Sequence, residues 1–456
     1  MKALLIRPWA NKKVPTVTNI LCGEPMGIEC ISTLLGEHGI EVMLADFLIE
    51  KRGKLETYLK SFDPDIVGIS SMCTDVENTL RIARETKKHN KSIQVFVGGA
   101  QASSFPESFF SDNIDFIFKA TTRSNIKQFI DVVSSGDYET LIEGVFSSAL
   151  GYIDSGEFCT NDYIVPDRDI SSRYRNKYRY VGYQPCALLH TAYGCRNQCT
   201  FCIRWRLEGS VLREAPIEDV VNQIESLSEQ YFFISDNDFL INENRLMEFC
   251  DLLEKRAVNK KFMCFGSVVS ILEKPHILQR LHANGLVAIS VGFEAFDDSR
   301  LSEYEKPASV DENVKAIQIL KANGIACWGS FIVHPDWDKD DFKELKSYIK
   351  RLQPELLTMS PLVPHPMTPL YEQYKDRLIY AVDDYEKWNF ADVVVIPSKM
   401  PLRQYYWQVM KLAFRLNSFY SIKYALRSFP LRVNLSILFG FRRFFAIYIK
   451  KMLAAR

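Results

Sequence analysis

The sequence predicts an α/β protein with a doubly wound N-terminal domain, a partial barrel of six strand–helix units and a helical, basic C-terminal region. Three observations carry that expectation. Up to about residue 130, short β-branched runs alternate with helix-like segments, the pattern of βαβ units on a parallel sheet. A second series of six strand-like runs joined by five helix-like segments starts near residue 185. From Val393 to Arg456 there is no Asp or Glu, while twelve Lys or Arg occur.

The first series opens with the apolar run Lys2–Arg7, followed by a helix over Pro25–Gly39 and a strand over Glu41–Asp46. A helix near Lys54–Phe62, the strand Ile66–Ser70, a helix over Asp75–His89 and strands at Ile93–Val97 and Ile114–Phe118 complete it. Ser70-Ser71 and Gly98-Gly99 fall just after strands, where an open α/β sheet places its ligand crevice. The domain is assigned to residues 1–135 and reads as Rossmann-like. Residues 136–185, with weak periodicity and a Ser/Asp/Tyr/Arg-rich stretch, read as a linker holding a small strand pair.

In residues 186–375 the strands are expected at Ala187–Ala192, Tyr231–Ser235, Phe262–Val268, Val287–Phe293, Ala326–Val333 and Leu356–Leu362. Helices are expected between them at Ile217–Ser228, Glu243–Lys255, Lys274–Ala283, Val310–Ala322 and Lys339–Leu352. Six strands at this spacing fit a partial barrel, whose sites lie at the carboxyl ends of the strands. Residues 376–456 interleave aromatic and basic residues and read as helical.

Composition excludes disorder, with 47% apolar and 25% charged residues in 456. The zero net charge hides an asymmetry: the first 392 residues hold all 56 acids but only 44 (56 less 12) bases, a net of −12. The N-terminus lacks a signal-peptide pattern, and no run of about 18 apolar residues occurs, so a cytoplasmic chain is expected. Eleven cysteines without an export signal read as reduced thiols or metal ligands.

Three of those cysteines stand together just past the first barrel strand. Cys195, Cys199 and Cys202 have C-x3-C-x2-C spacing, which suits three irons of a [4Fe–4S] cluster and leaves the fourth iron open. A zinc knuckle is the competing reading, and it wants a fourth ligand, for which His190 is the neighbouring candidate. The remaining cysteines, at 22, 30, 73, 159, 186, 250, 264 and 327, sit in core-like contexts.

This loop, with Phe201 just before the third cysteine, resembles the signature of the radical S-adenosylmethionine (SAM) superfamily. The resemblance implies that the open iron is chelated by SAM and that one electron from the cluster cleaves SAM to a 5′-deoxyadenosyl radical. It also implies SAM contacts for Phe201, for Asp236 in Ile234–Phe239 and for Glu294 in Ser290–Ala295, with Lys306 where a lysine often follows. Gly329–Pro335, with His334 where glycine is commoner, and Pro364–Pro369, with His365, resemble the fifth-strand segment and the loop after the sixth. Both histidines read as pocket-lining or structural. The match covers about residues 185–375.

The first domain is similar to the cobalamin-binding domain of one radical SAM subfamily. Gly27–Asp46, Asp63–Ser70 and Val97–Glu107 carry the likeness, which implies a cobalamin site at Ser70, Gly98 and Gly99. Lys119–Arg123 departs from the Gly-rich turn of relatives, and no Asp-x-His-x-x-Gly occurs.

The expected function is radical hydrogen abstraction from an unactivated carbon followed by cobalamin-dependent methylation of a lipid or secondary metabolite. A cobalamin-independent dehydratase, cyclase or C–C coupling enzyme is the alternative, and an iron–sulfur or zinc sensor or scaffold the non-enzymatic one. Expected partners are a small-molecule or lipid substrate and a low-potential donor such as flavodoxin or ferredoxin. The basic, greasy tail over 393–456 favours peripheral contact at the inner membrane surface, ahead of an ordinary helical cap on the barrel with a basic rim and of a nucleic-acid patch.

Overall fold

The computed structural model describes residues 1–455 except 12, 15–19, 51–52, 153–161 and 417–421, and leaves out the side chains of 432, 436–441 and 443–444. Cys159 lies outside the described residues. The chain divides into two compact units. Met1–Thr16, Glu24–Lys177 and Val382–Asn389 form the first, and Val17–Gly23, Tyr178–Ala381 and Phe390–Arg456 the second.

The first unit is built on a six-stranded sheet in the order Glu41–Asp46, Lys2–Arg7, Ile66–Ser70, Gln94–Gly98, Phe116–Phe118 and Val145–Ser147. All neighbours are parallel except the last pair. Alternate residues such as Leu4, Ile6, Val67, Ile69, Val95 and Val97 enter one core, while Leu5 and Ile66, on the other side of the pleat, are also buried. Covered on both faces, these strands read as continuous apolar runs rather than alternating ones. The order reverses direction between Lys2–Arg7 and Ile66–Ser70, the switch point where doubly wound sheets open a crevice. Within the Ile66–Ser70 strand, Gly68 makes room for the Phe96 ring, whose Cζ would lie 2.3 Å from a Cβ at that position.

Residues 136–177, expected as a linker, belong to this unit. Val145–Ser147 adds the antiparallel edge strand, and Asp169–Lys177 forms a 3₁₀ segment fastened to the Met26–Gly36 helix. Arg175 Nη1 lies 2.7 Å from Glu24 Oε2 and Arg168 Nε 3.5 Å from Glu24 Oε1. Ser32 Oγ donates to Asp167 (2.8 Å) and Thr33 Oγ1 to the Val165 carbonyl (2.7 Å). The last two anchors are polar and join residues 135 and 132 apart in sequence, so no hydrophobic period announces them. The expected strand pair forms differently: Arg179–Tyr180 pairs with Leu21–Cys22, both in the second unit.

The second unit carries six parallel strands, Cys186–Leu189, Tyr231–Ile234, Lys261–Phe265, Leu286–Glu294, Ala326–Val333 and Leu356–Pro361, neighbours in space as in sequence. Sequential parallel order is that of a β/α barrel, here open between its first and sixth strands. Val268, expected at the end of the third strand, instead begins the Val268–Glu273 helix, where Ser267 caps the Ser270 N–H. After the barrel come the helices Leu402–Leu416, Ile422–Ser428 and Leu431–Ala454. Among the described residues no helix is long and apolar enough to cross a membrane.

Glu29, fully buried within the Met26–Gly36 helix, is the unusual charge of the first unit. Burial, reinforced by the neighbouring Glu24 carboxylate, pushes its pKa up to about 8, against the pull of Ser171, Arg168 and Arg175. A carboxyl whose native pKa exceeds its unfolded value stabilises the fold fully below the unfolded value and loses that contribution as pH rises through the native one. Glu29→Gln is therefore expected to flatten the decline in stability between pH 5 and pH 8.5, a slope of at most about 1.4 kcal/mol per pH unit. Urea unfolding of the wild type and the variant across that range is the measurement.

Candidate functional site

The cysteine loop leaves the first barrel strand and is fastened from outside itself. Gly194 turns it at φ +96°, and a Cβ there would meet the Val211 carbonyl at 2.1 Å. The Cys195 N–H donates to Gly209 O (3.1 Å), and Trp205 Nε1–H donates to Cys199 O (3.1 Å). Thr200 does most of the fastening: its N–H donates to Tyr304 O (3.1 Å), its Oγ1 to Glu303 O (3.0 Å), and its carbonyl accepts from Leu370 N–H (3.1 Å). Phe201 packs against Tyr304, ring centroids 5.3 Å apart, so its ring braces the loop.

The three thiols are thereby neighbours. Burial raises the pKa of Cys195 and Cys202 and pushes Cys199 up to about 11, with neighbouring thiols of the trio adding to the rise at Cys195 and Cys199, while Lys306 pulls Cys199 down. Among the described residues no three His, Cys, Asp or Glu side chains enclose a single ion. Buried thiols that raise one another's pKa fit a cationic iron cluster, which deprotonates its ligands and offsets their charge.

Across the barrel, Lys306 Nζ stands 3.3 Å from Glu294 Oε1. Glu294 ends the fourth strand in a left-handed conformation (φ +62°), where the register with the fifth strand shifts. A Cβ on Gly292 would lie 2.0 Å from Glu294 Oε1 and 3.0 Å from Lys306 Nζ. The Gly-x-Glu spacing thus has a steric reason: glycine makes room for the glutamate to fold back onto its lysine. Burial opposes the charge on Lys306, yet Glu294 and the thiols of Cys199 and Cys202 hold its pKa above the ordinary value.

At the end of the second strand, Asp236 and Asn237 divide the work. Asp236 accepts from Thr191 N–H (2.6 Å), Thr191 Oγ1 (2.5 Å) and Ala192 N–H (3.1 Å), so it clamps the end of the first strand. Burial raises its pKa to about 6 against those bonds. Asn237 donates to Gly194 O (3.0 Å) and Glu208 Oε2 (2.7 Å), while its Oδ1 is buried without a partner. His190 flanks the same carboxylate: its Nε2, also buried and unpartnered, lies 3.9 Å from Glu208 Oε2. Ser235 Oγ donates to Leu189 O (3.0 Å), so His190 Nδ1–H is the donor to Ser235 Oγ (3.1 Å) and Nε2 carries a lone pair. Burial lowers the His190 pKa to about 4, keeping the ring neutral. Unpartnered lone pairs beside a carboxylate suit a donor-rich cation such as the ammonium of an amino acid. Reading the sequence singled out Asp236; nothing in residue type distinguishes it from Asn237, and Glu208 carried no motif.

His334 is buried, with Nε2 2.8 Å from Tyr374 Oη and Nδ1 accepting from Asp336 N–H (3.1 Å). His365 is buried, and its carbonyl accepts from Thr368 Oγ1 (2.6 Å).

In the first unit, Ser70, Gly98 and Gly99 do come together at the ends of adjacent strands. Gly99 has φ +98°, and a Cβ there would lie 2.8 Å from Ser71 O and 3.2 Å from Ser70 Oγ. Over Gly98 the nearest atom to a Cβ would be Phe118 Cβ at 3.9 Å, which leaves a shallow cradle for a flat ligand. Lys119–Arg123 leads into a helix capped by Thr122, whose side chain accepts from Asn125 N–H (3.0 Å). Val382–Asn389 also folds onto this unit: Cys73 Sγ lies 3.6 Å from Trp388 O, and the Phe105 and Tyr385 rings are 5.4 Å apart. No sequence pattern foretold that return.

A three-thiol loop at the carboxyl end of the first strand of a parallel partial barrel marks an iron–sulfur enzyme. Family comparison is more particular, since the radical SAM superfamily model matches residues 189–349 and the B12 binding domain model residues 13–127. The chain thus carries a radical SAM domain joined to a B12-binding domain, and the cofactors of that pairing are a [4Fe–4S] cluster, SAM and cobalamin. It is 23% identical over 392 residues to the hopanoid C-3 methylase of Methylococcus capsulatus (85% of this chain, 75% of that one). It is 25% identical over 366 residues to the bacteriochlorophyllide d C-8(2)-methyltransferase of Chlorobaculum tepidum (76% and 77%). It is also 26% identical over 364 residues to the anaerobic magnesium-protoporphyrin IX monomethyl ester cyclase of Rubrivivax gelatinosus, of which it spans 64% while matching over 75% of its own length. The fold is that of the radical SAM methyltransferase TsrM from Kitasatospora setae with cobalamin and a [4Fe–4S] cluster bound (TM-score 0.73, 14% identity, 100% of this chain and 99% of that one). The cobalamin-dependent radical enzyme OxsB shares it (0.70, 16%, 99% and 72%).

The Glu294–Lys306 pair permits a direct test of the barrel's electrostatics. Lys306→Met leaves a largely buried carboxylate unpaired and is expected to cost about 3 kcal/mol of stability. Adding Glu294→Gln is expected to restore most of that loss, measured as a double-mutant cycle by chemical unfolding.

Proposed function

We propose that the protein is a cobalamin-dependent radical SAM methyltransferase acting at an unactivated carbon of a lipid or secondary metabolite. The carrying observation is that one chain holds both the three-thiol loop at the mouth of a partial barrel and a B12-binding domain. Bound there, cluster and SAM supply one-electron chemistry that removes hydrogen from carbon, and cobalamin supplies methyl transfer.

In this reading Cys195, Cys199 and Cys202 hold the cluster. The acceptor set of Asn237 Oδ1, His190 Nε2 and Glu208 receives the SAM ammonium, and Asp236 positions that set by fixing Thr191 and Ala192. Lys306, held charged by Glu294, offers a cation to the SAM carboxylate or to the cluster thiolates. Phe201 keeps the loop against Tyr304. Ser70, Gly98 and Gly99 line the cobalamin crevice. The electron comes from a low-potential donor such as flavodoxin or ferredoxin. The same reading places the chain in the cytoplasm, with residues 393–456 peripheral at the inner membrane surface.

A cobalamin-independent cyclase, dehydratase or coupling enzyme is the second reading, favoured by the capped helix start that replaces a Gly-rich turn at 119–123. Anaerobic reconstitution with the cluster and hydroxocobalamin, followed by gel filtration and an ultraviolet-visible spectrum, decides between them. One equivalent of retained cobalamin supports methyl transfer, and none supports the second reading. Cys199→Ala is expected to abolish reductive SAM cleavage, whereas Asn237→Ala is expected to raise the SAM concentration needed for half-maximal cleavage by roughly tenfold, the cost of about one hydrogen bond to a charged group. Cleavage retained in Cys199→Ala would defeat the radical assignment.

A further inference from the structure

The C-terminal helices leave apolar side chains in water. Of nineteen exposed large apolar residues among the described ones, ten lie at or beyond Phe390, in the part of the chain that holds twelve basic residues and no acid after Asp392. Soluble surfaces scatter such residues singly, whereas a concentrated set marks an interaction face.

Their spacing makes a face. Along Leu431–Ala454, the exposed residues Leu435, Ile449 and Leu453 stand 4, 18 and 22 positions after exposed Leu431. At 3.6 residues per turn these offsets return to within about 40° of one line, along a helix about 36 Å long. Arg442, exposed and 11 positions from Leu431, falls on the same line at its midpoint. On Leu402–Leu416, Trp407 and Phe414 are exposed 4 and 11 positions after exposed Arg403, and so form a second stripe of the same make. Other sides of the two helices are committed inside the unit: Tyr406 and Tyr448 pack edge to face at 5.6 Å, and Lys451 pairs with Asp392.

We infer that these two stripes form a surface that docks on an anionic lipid bilayer, lying in its interface rather than crossing it. Greasy stripes with arginine on the line enter the acyl boundary while the guanidinium groups reach lipid phosphates. No helix among the described residues is suited to span. Nucleic acid would supply the anions but no apolar phase. A second copy paired antiparallel along Leu431–Ala454 would set Arg442 against its own counterpart, with no carboxylate from residue 393 onward to separate them. The inference rests on the membrane-side part of the proposed function and identifies the face and the lipid chemistry it takes.

The test is flotation of the full-length, cofactor-loaded protein with vesicles of phosphatidylcholine alone or with about 30% phosphatidylglycerol, an anionic share chosen to give a strong surface potential, at low and high salt. The expected result is flotation with the anionic vesicles, at least roughly fivefold less with neutral ones, and weakening with salt. Leu435→Glu with Ile449→Glu is expected to remove it with the circular dichroism spectrum unchanged. Trp407→Ala serves as a milder variant if the pair unfolds. Equal flotation on both vesicle types, no flotation, a dimer in sedimentation that the variant dissolves, or retention of oligonucleotide without flotation would each overturn the inference. Bound cobalamin and SAM cleavage are measured on the same samples, so failure of the methyltransferase reading is seen separately from failure to float.

Discussion

Three cysteines on one short loop cannot set their own spacing, because thiols bond weakly and their thiolates repel. The geometry of the three-cysteine loop therefore depends on Thr200, whose N–H, hydroxyl and carbonyl all bond to backbone groups after the fourth and sixth strands. Tyr304, which accepts from Thr200 and supports Phe201, belongs to the same turn that delivers Lys306. The cysteine loop and the neighbouring cation are thus one assembly. A shift of either would carry the other.

The fourth strand shows a second constraint. Glu294 holds a left-handed backbone that costs roughly 1–3 kcal/mol in a residue other than glycine. Strain of this kind survives where surrounding structure overdetermines it, here through the register shift, the ion pair with Lys306 and the space above Gly292. The site is strained where its charges meet, a pattern that favours rigid presentation of those charges to a ligand.

Much of this was legible in sequence wherever the signal was periodic or covalent in scale. The barrel helices Glu243–Lys255, Val310–Ala322 and Lys339–Leu352 fall within the stretches their apolar spacing outlines, and the cysteine spacing alone located the loop. What escaped was long-range and polar. Residues 136–177 join the first sheet and helix through Arg175, Asp167 and Val145–Ser147, contacts that leave no period behind. At the second strand end the sequence offers adjacent polar side chains, and only the hydrogen bonds reveal that Asp236 is satisfied while Asn237 keeps a free acceptor. The greasy tail was visible as composition, but its organisation into lines required knowing which residues the packing had already claimed.

The return of Val382–Asn389 to the first unit has a consequence for how the chain comes into being. Each compact unit is discontinuous, the first needing Val382–Asn389 and the second needing Leu21–Cys22. Neither can be completed as a separate block while the chain emerges from the ribosome. The N-terminal sheet has all six of its strands by residue 147, but the unit around it stays incomplete until Val382–Asn389 has been made, and fission of the gene at the apparent boundary near residue 178 would give two fragments that each lack a piece of themselves.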